Sequence, residues 1–123
     1  MQTAHFSVDR YNGVSIVHLS GDLRVDGVPE LSRALFDSLN GEQLVVVDLA
    51  ELNYIDSAGI ATLVALYKRL RQNGGGRVVL CGAPETIWGV FKTMKLDRLF
   101  RLYSDVREAL QAAGLVDRVP QQG

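Results

Sequence analysis

Two short apolar runs separated by a helical stripe constrain this chain more than any other feature. Leu44 to Val47 is unbroken, β-rich and followed by Asp48-Leu49, and Arg77 to Cys81 repeats the pattern. Runs of this kind are strands covered on both faces. Between them Ile60, Leu63, Val64, Tyr67 and Leu70 recur at helical spacing from Ala58 onward. Lys68, Arg69 and Arg71 favour the carboxyl end of that helix, and Gly74-Gly75-Gly76 stops it. A strand, a helix and a second doubly covered strand prefer parallel pairing through a right-handed crossover.

The flanking segments extend this unit. Phe6 to Tyr11 and Val14 to Ser20 are separated by Asn12-Gly13, which predicts an antiparallel hairpin. After Gly21 the stripe Val28, Leu31, Leu35 and Leu39 predicts a helix, with Asp26 as its cap, Pro29 in its first turn and its end near Asn40-Gly41. Pro84 introduces a helix with Ile87, Val90, Phe91 and Met94 on one face, and Trp88 sits off that stripe at the edge of the core. Leu99 to Tyr103 reads as a short last strand. Asp105 and Glu108 are spaced as a capping box for a final helix that Gly114 terminates. The fold class is therefore α/β: one domain over residues 1–114, a mostly parallel mixed sheet with an N-terminal antiparallel hairpin and about four helices. Residues 115–123 read as a flexible tail.

Composition removes several classes of function. Thirteen basic and 14 acidic residues leave a formal charge of -1, so no basic face for direct nucleic-acid binding is indicated. The longest nearly apolar stretch, Ala58 to Tyr67, is half the roughly 20 residues a membrane helix needs. No basic segment followed by a long apolar run opens the chain, and a cytoplasmic location without membrane attachment is expected. One cysteine, Cys81, forms no internal disulfide, and with only two scattered histidines no metal site is expected. Cys81 reads as a small core residue at a strand end.

In open α/β sheets function gathers at the carboxyl ends of the strands. Two segments leave strands there, Gly21 to Asp26 and Leu49 to Ser57, and neighbouring strands would bring Asp22, Arg24 and Asp26 close to Ser57. The second segment opens a helix as Asp56-Ser57-Ala58-Gly59. Asp and Ser at a helix start have an ordinary role as acceptors for unpaired amides, and Gly59 allows a close approach of the first turn.

The block D-L-A-E-L-N-Y-I-D-S-A-G-I resembles the STAS domain family and within it the stand-alone bacterial anti-anti-sigma factors, through Asp48, Leu49, Leu52, Ile55, Asp56, Ser57, Gly59 and Ile60. L-S-G-D-L at Leu19 to Leu23, G-G-x-V-V-L-C at Gly75 to Cys81 and K-L-D-R-L-F-R-L-Y at Lys95 to Tyr103 extend the resemblance over roughly Phe6 to Ala113. It implies an anti-sigma factor antagonist whose Ser57 is phosphorylated by an anti-sigma factor that is also a serine kinase. Unmodified, such a protein binds the kinase and frees the sigma factor; modified, it lets go, and a metal-dependent serine phosphatase resets it. ATP and metal then belong to the partners, so the chain carries no catalytic residue, cofactor or metal of its own. Asp22, Arg24, Asp26, Asp56, Ser57, Ala58 and Gly59 are the implied partner-binding residues, and a homodimer is left open. The family commonly has Asp where this sequence has Arg24.

Other chemistries fit less well. A serine hydrolase elbow G-x-S-x-G fails at Ile55, and nothing ties His5 or His18 to Ser57. An aspartyl phosphoacceptor at Asp48 lacks the paired acids and terminal Lys that response regulators use. Similar domains also serve as scaffold subunits of stress complexes or as cytoplasmic parts of lipid or anion transport systems, and fold does not choose among these tasks.

Overall fold

In the computed structural model, which describes residues 3–39, 43–72 and 74–114, the elements run β1 (His5–Tyr11), β2 (Val14–Leu23), α1 (Val28–Ser38), β3 (Leu44–Ile55), α2 (Ser57–Gln72), β4 (Arg77–Cys81), α3 (Glu85–Thr93), β5 (Leu102–Tyr103) and α4 (Val106–Ala112). The five strands lie in one sheet in chain order. β1 pairs antiparallel with β2 through the Asn12-Gly13 turn, where both residues take positive φ, 50° and 82°. β2, β3, β4 and β5 pair parallel. The expected order and hairpin are both present.

The alternation of side chains along the strands divides the interior in two. Val17, Leu19, Val45, Val47 and Leu80 join residues of α1, α2 and α3 in the larger core. Val14, Ile16, Leu44, Val46, Val79 and Cys81 face the other way and are joined by Ala109 and Leu110 of α4. Cys81 is fully buried, as its place at the strand end suggested.

The long strands differ from expectation, and the difference builds the site. Leu49 to Ser57 was expected to leave the sheet, yet β3 continues to Ile55 and β2 continues past Gly21 to Leu23. Val17 faces Val47, Gly21 faces Leu52 and Leu23 faces Ile55, so six steps along β2 match eight along β3. Two register shifts, between His18 and Ser20 and between Gly21 and Asp22, absorb the two extra residues of β3. They convert the three-residue spacing Leu49, Leu52, Ile55, which does not look like a strand, into a continuous buried row.

Smaller corrections concern the helix ends. Gly27, not Asp26, is the N-cap of α1, with no side-chain cap bond; Pro29 holds the first turn. Val28, Leu31 and Leu35 still face the core, while the expected end at Asn40-Gly41 lies outside the described residues. Met94 is the C-cap of α3 and is exposed, because the helix stops at Thr93 and takes Met94 off the stripe. Trp88 is half-buried and stacks on Phe91, with centroids 5.4 Å apart. The last strand shrinks to Leu102–Tyr103, with Phe100 buried in the turn before it. The α4 capping box forms: Asp105 Oδ1 accepts from the Glu108 amide at 2.8 Å, and Glu108 Oε1 accepts from the Ser104 amide at 2.6 Å. The expected tail, residues 115–123, lies outside the described residues.

Candidate functional site

β2 and β3, extended side by side past the end of β4, bring the β2–α1 turn against the start of α2. Asp56 joins the two. Its Oδ1 accepts from the Gly59 amide at 3.0 Å, the bond of an N-cap residue, and its Oδ2 accepts from the Val25 amide at 2.9 Å. Its own amide donates to the Leu23 carbonyl at 3.2 Å, and its carbonyl receives the Ile60 amide at 3.0 Å. Asp56 is thus fully engaged in positioning backbone.

Gly59 completes the junction. A Cβ at that position would lie 2.7 Å from Leu23 Cγ and 2.9 Å from the Leu23 carbonyl oxygen. Any side chain there forces the helix start away from the β2 end. The close approach suggested by sequence is therefore a contact with Leu23.

Ser57, the first residue of α2, is left exposed at this junction. Helix capping falls to Asp56 rather than Ser57. The hydroxyl stands where aligned peptide dipoles give the helix start a partial positive charge. Ala58 beside it is half-buried.

Arg24 leaves the end of β2 and lies over the Tyr54 ring, its guanidinium carbon 4.6 Å from the centroid. Its Nε is 3.8 Å from Asp22 Oδ2, and Asp22 faces Tyr54 across the strand pair. The acid that Arg24 approaches is thus Asp22, its neighbour two residues earlier on the same strand end. Asp26 is exposed in the turn before α1. Two residues that sequence reasoning passed over complete the surface: Val25 is 65% exposed and Tyr54 is 43% exposed. Their signal was an apolar residue inside each loop-like segment, where solvent normally selects polar ones.

A second polar group occupies the α4 side of the sheet. His18 Nδ1 lies 2.9 Å from Asp48 Oδ2 and its Nε2 lies 3.1 Å from Asp9 Oδ2. Asp48 Oδ1 also accepts from the Ala50 amide at 3.1 Å. Cys81 faces Asp48 across the β3–β4 pair. Burial, reinforced by Asp48 and then Asp105, raises the Cys81 thiol to about 12, so it stays protonated and unreactive. Among the described residues no three His, Cys, Asp or Glu side chains cluster as metal ligands, and no helix is long and apolar enough to cross a membrane.

A five-stranded sheet with this connectivity and this strand-to-helix junction defines an STAS domain, and the family model of that name matches residues 5–109. The chain belongs to the STAS domain family. It is 32% identical over 108 residues to BtrV of Bordetella bronchiseptica, provisionally named an anti-sigma factor antagonist, covering 87% of this chain and 91% of that one. It is 26% identical to the anti-sigma-F factor antagonist RsfB of Mycobacterium tuberculosis, covering 91% and 93%. The crystal structure of an anti-sigma factor antagonist from Mycobacterium paratuberculosis superposes with a TM-score of 0.77 at 27% identity, over 89% of this chain and 93% of that one.

Proposed function

We propose that this chain is an anti-sigma factor antagonist that docks on a kinase-type anti-sigma factor through the Ser57 junction and is switched off by phosphorylation of Ser57. The observation that carries the reading is that Ser57 is exposed at the start of α2 while the adjacent Asp56 holds the helix. A modified hydroxyl is then compatible with an intact fold. The relatives named as anti-sigma factor antagonists support the general role.

The transfer itself is ordinary phosphoryl chemistry performed by the partner. Ser57 Oγ forms a bond to the γ-phosphorus of ATP, the bond from that phosphorus to the bridging oxygen breaks, ADP leaves, and the hydroxyl proton passes to the kinase or solvent. The product carries about -1.5 to -2 additional charge and three strong acceptors. At the helix start that charge meets partial positive charge; in an interface it meets a partner surface that accommodated a neutral hydroxyl. Unpaired charge in an interface costs several kcal/mol, and 1.4 kcal/mol is already tenfold in affinity. Exposed Val25 and Tyr54, on the two segments that Asp56 joins or follows, supply apolar area for docking, and aromatic anchors commonly dominate such contacts. A metal-dependent serine phosphatase reverses the switch by hydrolysis to serine and inorganic phosphate. The setting is cytoplasmic.

The decisive experiment incubates the protein with an anti-sigma factor kinase from its own cell and ATP, then maps the product by mass spectrometry. One phosphate on Ser57, with loss of the kinase complex, is the expected result. A phosphate elsewhere, or a complex indifferent to it, overturns the reading.

A further inference from the structure

Arg24 has an unusual set of neighbours for an arginine. Its Nε is shielded from solvent and finds no hydrogen-bond partner among the described residues. At 3.8 Å, Asp22 Oδ2 is near enough for attraction but beyond hydrogen-bond length. The other contact is the face of Tyr54, which attracts a cation without satisfying its N–H groups. The Nε–H therefore has donor capacity left over.

The backbone under Arg24 is held firmly. On one side Leu23 faces Ile55 and accepts the Asp56 amide; on the other, Val25 donates to the Asp56 carboxylate. These bonds fasten both of Arg24's neighbours to the residue that immediately precedes Ser57. Asp56 already receives two amides. An anion appearing at Ser57 would thus arise one residue from Asp56, to which both chain neighbours of Arg24 are bonded, while the Arg24 Nε–H still lacks an acceptor. Guanidinium and phosphate match as planar fork and acceptor oxygens, a geometry Lys does not reproduce.

The geometry points to Arg24 as the internal ligand of the phosphoryl group on Ser57: modification draws the guanidinium from Tyr54 and Asp22 onto the phosphoryl oxygens. This rests on Ser57 being the phosphoacceptor. Its consequence is that the switch changes two features of one surface. An anion is added, and the cation covering the Tyr54 ring is withdrawn. Partner release then reads a rearranged rim as well as a charge.

The test does not require the kinase. Phosphoserine is installed at position 57 during translation, and the second phosphate ionisation is followed by phosphorus NMR in the parent, Arg24→Gln and Arg24→Lys proteins. The parent should ionise about one pH unit below Arg24→Gln, as for an opposite charge within contact range, with Arg24→Lys between them. In the parent the Arg24 Nε–H resonance should shift through the same ionisation, a readout that needs no substitution. Coincident titrations in all three proteins, with a stationary Arg24 resonance, overturn the proposal. Kinase mapping of the unmodified protein separately decides whether Ser57 is the acceptor, so failure of that reading is distinguishable from failure of the Arg24 contact.

Discussion

The Asp56 carboxylate reaches across from the start of α2 to the Val25 amide at 2.9 Å, while its other oxygen caps its own helix. One side chain therefore sets the relative position of the two segments that frame Ser57.

Removing it should loosen both. Asp56→Ala leaves two amides without their acceptor and should cost about 2 to 4 kcal/mol, the sum of a lost cap and a lost charge-assisted bond. Asp56→Asn keeps one acceptor oxygen and should cost roughly half as much. Urea unfolding of the three proteins checks the order.

Ser57→Ala should change stability by no more than about 0.5 kcal/mol, because the residue is exposed and the cap belongs to its neighbour. It should bind the anti-sigma kinase and resist switching. Ser57→Asp should remain folded yet bind at least tenfold more weakly, which calorimetry with the purified kinase would read. Equal affinities for Ser57→Asp and the parent would count against release by charge.

Gly59→Ala places a methyl 2.7 Å from Leu23 Cγ and 2.9 Å from the Leu23 carbonyl oxygen. Overpacking of this kind costs about 1 to 3 kcal/mol. Because the displaced element carries Ser57, phosphorylation by the kinase should slow as well, in contrast with substitutions of similar energy inside α4.

His18 ties edge strand β1 to β3 across β2 through Asp9 and Asp48. His18→Ala should destabilise the domain by about 1 kcal/mol. Hydrogen exchange should show faster opening of β1 amides, with those of β3 little affected.

Cys81 gives the domain an alkaline limit. Burial first, then Asp48 and Asp105, raises its thiol from 9.0 to about 12 in the fold. Between those values the unfolded chain has released a proton that the native state keeps. The native state thus binds more protons, and stability falls as pH rises, by up to about 1.4 kcal/mol per pH unit, with no contribution below the unfolded value. The slope should flatten in Cys81→Ala when both proteins are melted from pH 8.5 upward. The parent thiol should also resist alkylation until the chain is unfolded.

The element order was readable because each signal was local. Asn12-Gly13 takes the backbone angles it is suited to, and Asp105 and Glu108 satisfy amides within one turn. Arg77 to Cys81 is buried as its composition indicates, apart from exposed Arg77 at its start. Less was readable where the outcome depends on another strand. Leu49, Leu52 and Ile55 look like a loop in isolation, since their period belongs to a bulged strand and appears only against β2, where Gly21 faces Leu52 and Leu23 faces Ile55. Asp26 has cap chemistry, but the chain reaches α1 through Gly27. Met94 fits the stripe of α3, yet the helix ends one residue earlier. At the candidate site, the Asp56-Ser57-Gly59 cluster was legible from its helix-start pattern. The seat of Arg24 on Tyr54 was not, because it depends on two register shifts that no single segment encodes.

The division of labour between Asp56 and Ser57 has an engineering corollary. Since the scaffold does not lean on the hydroxyl, that position can accept threonine, cysteine or a synthetic side chain while the rest of the molecule is left alone. The junction is in effect an interchangeable socket, whose response to light, redox or a small-molecule tag could be installed without rebuilding the protein around it.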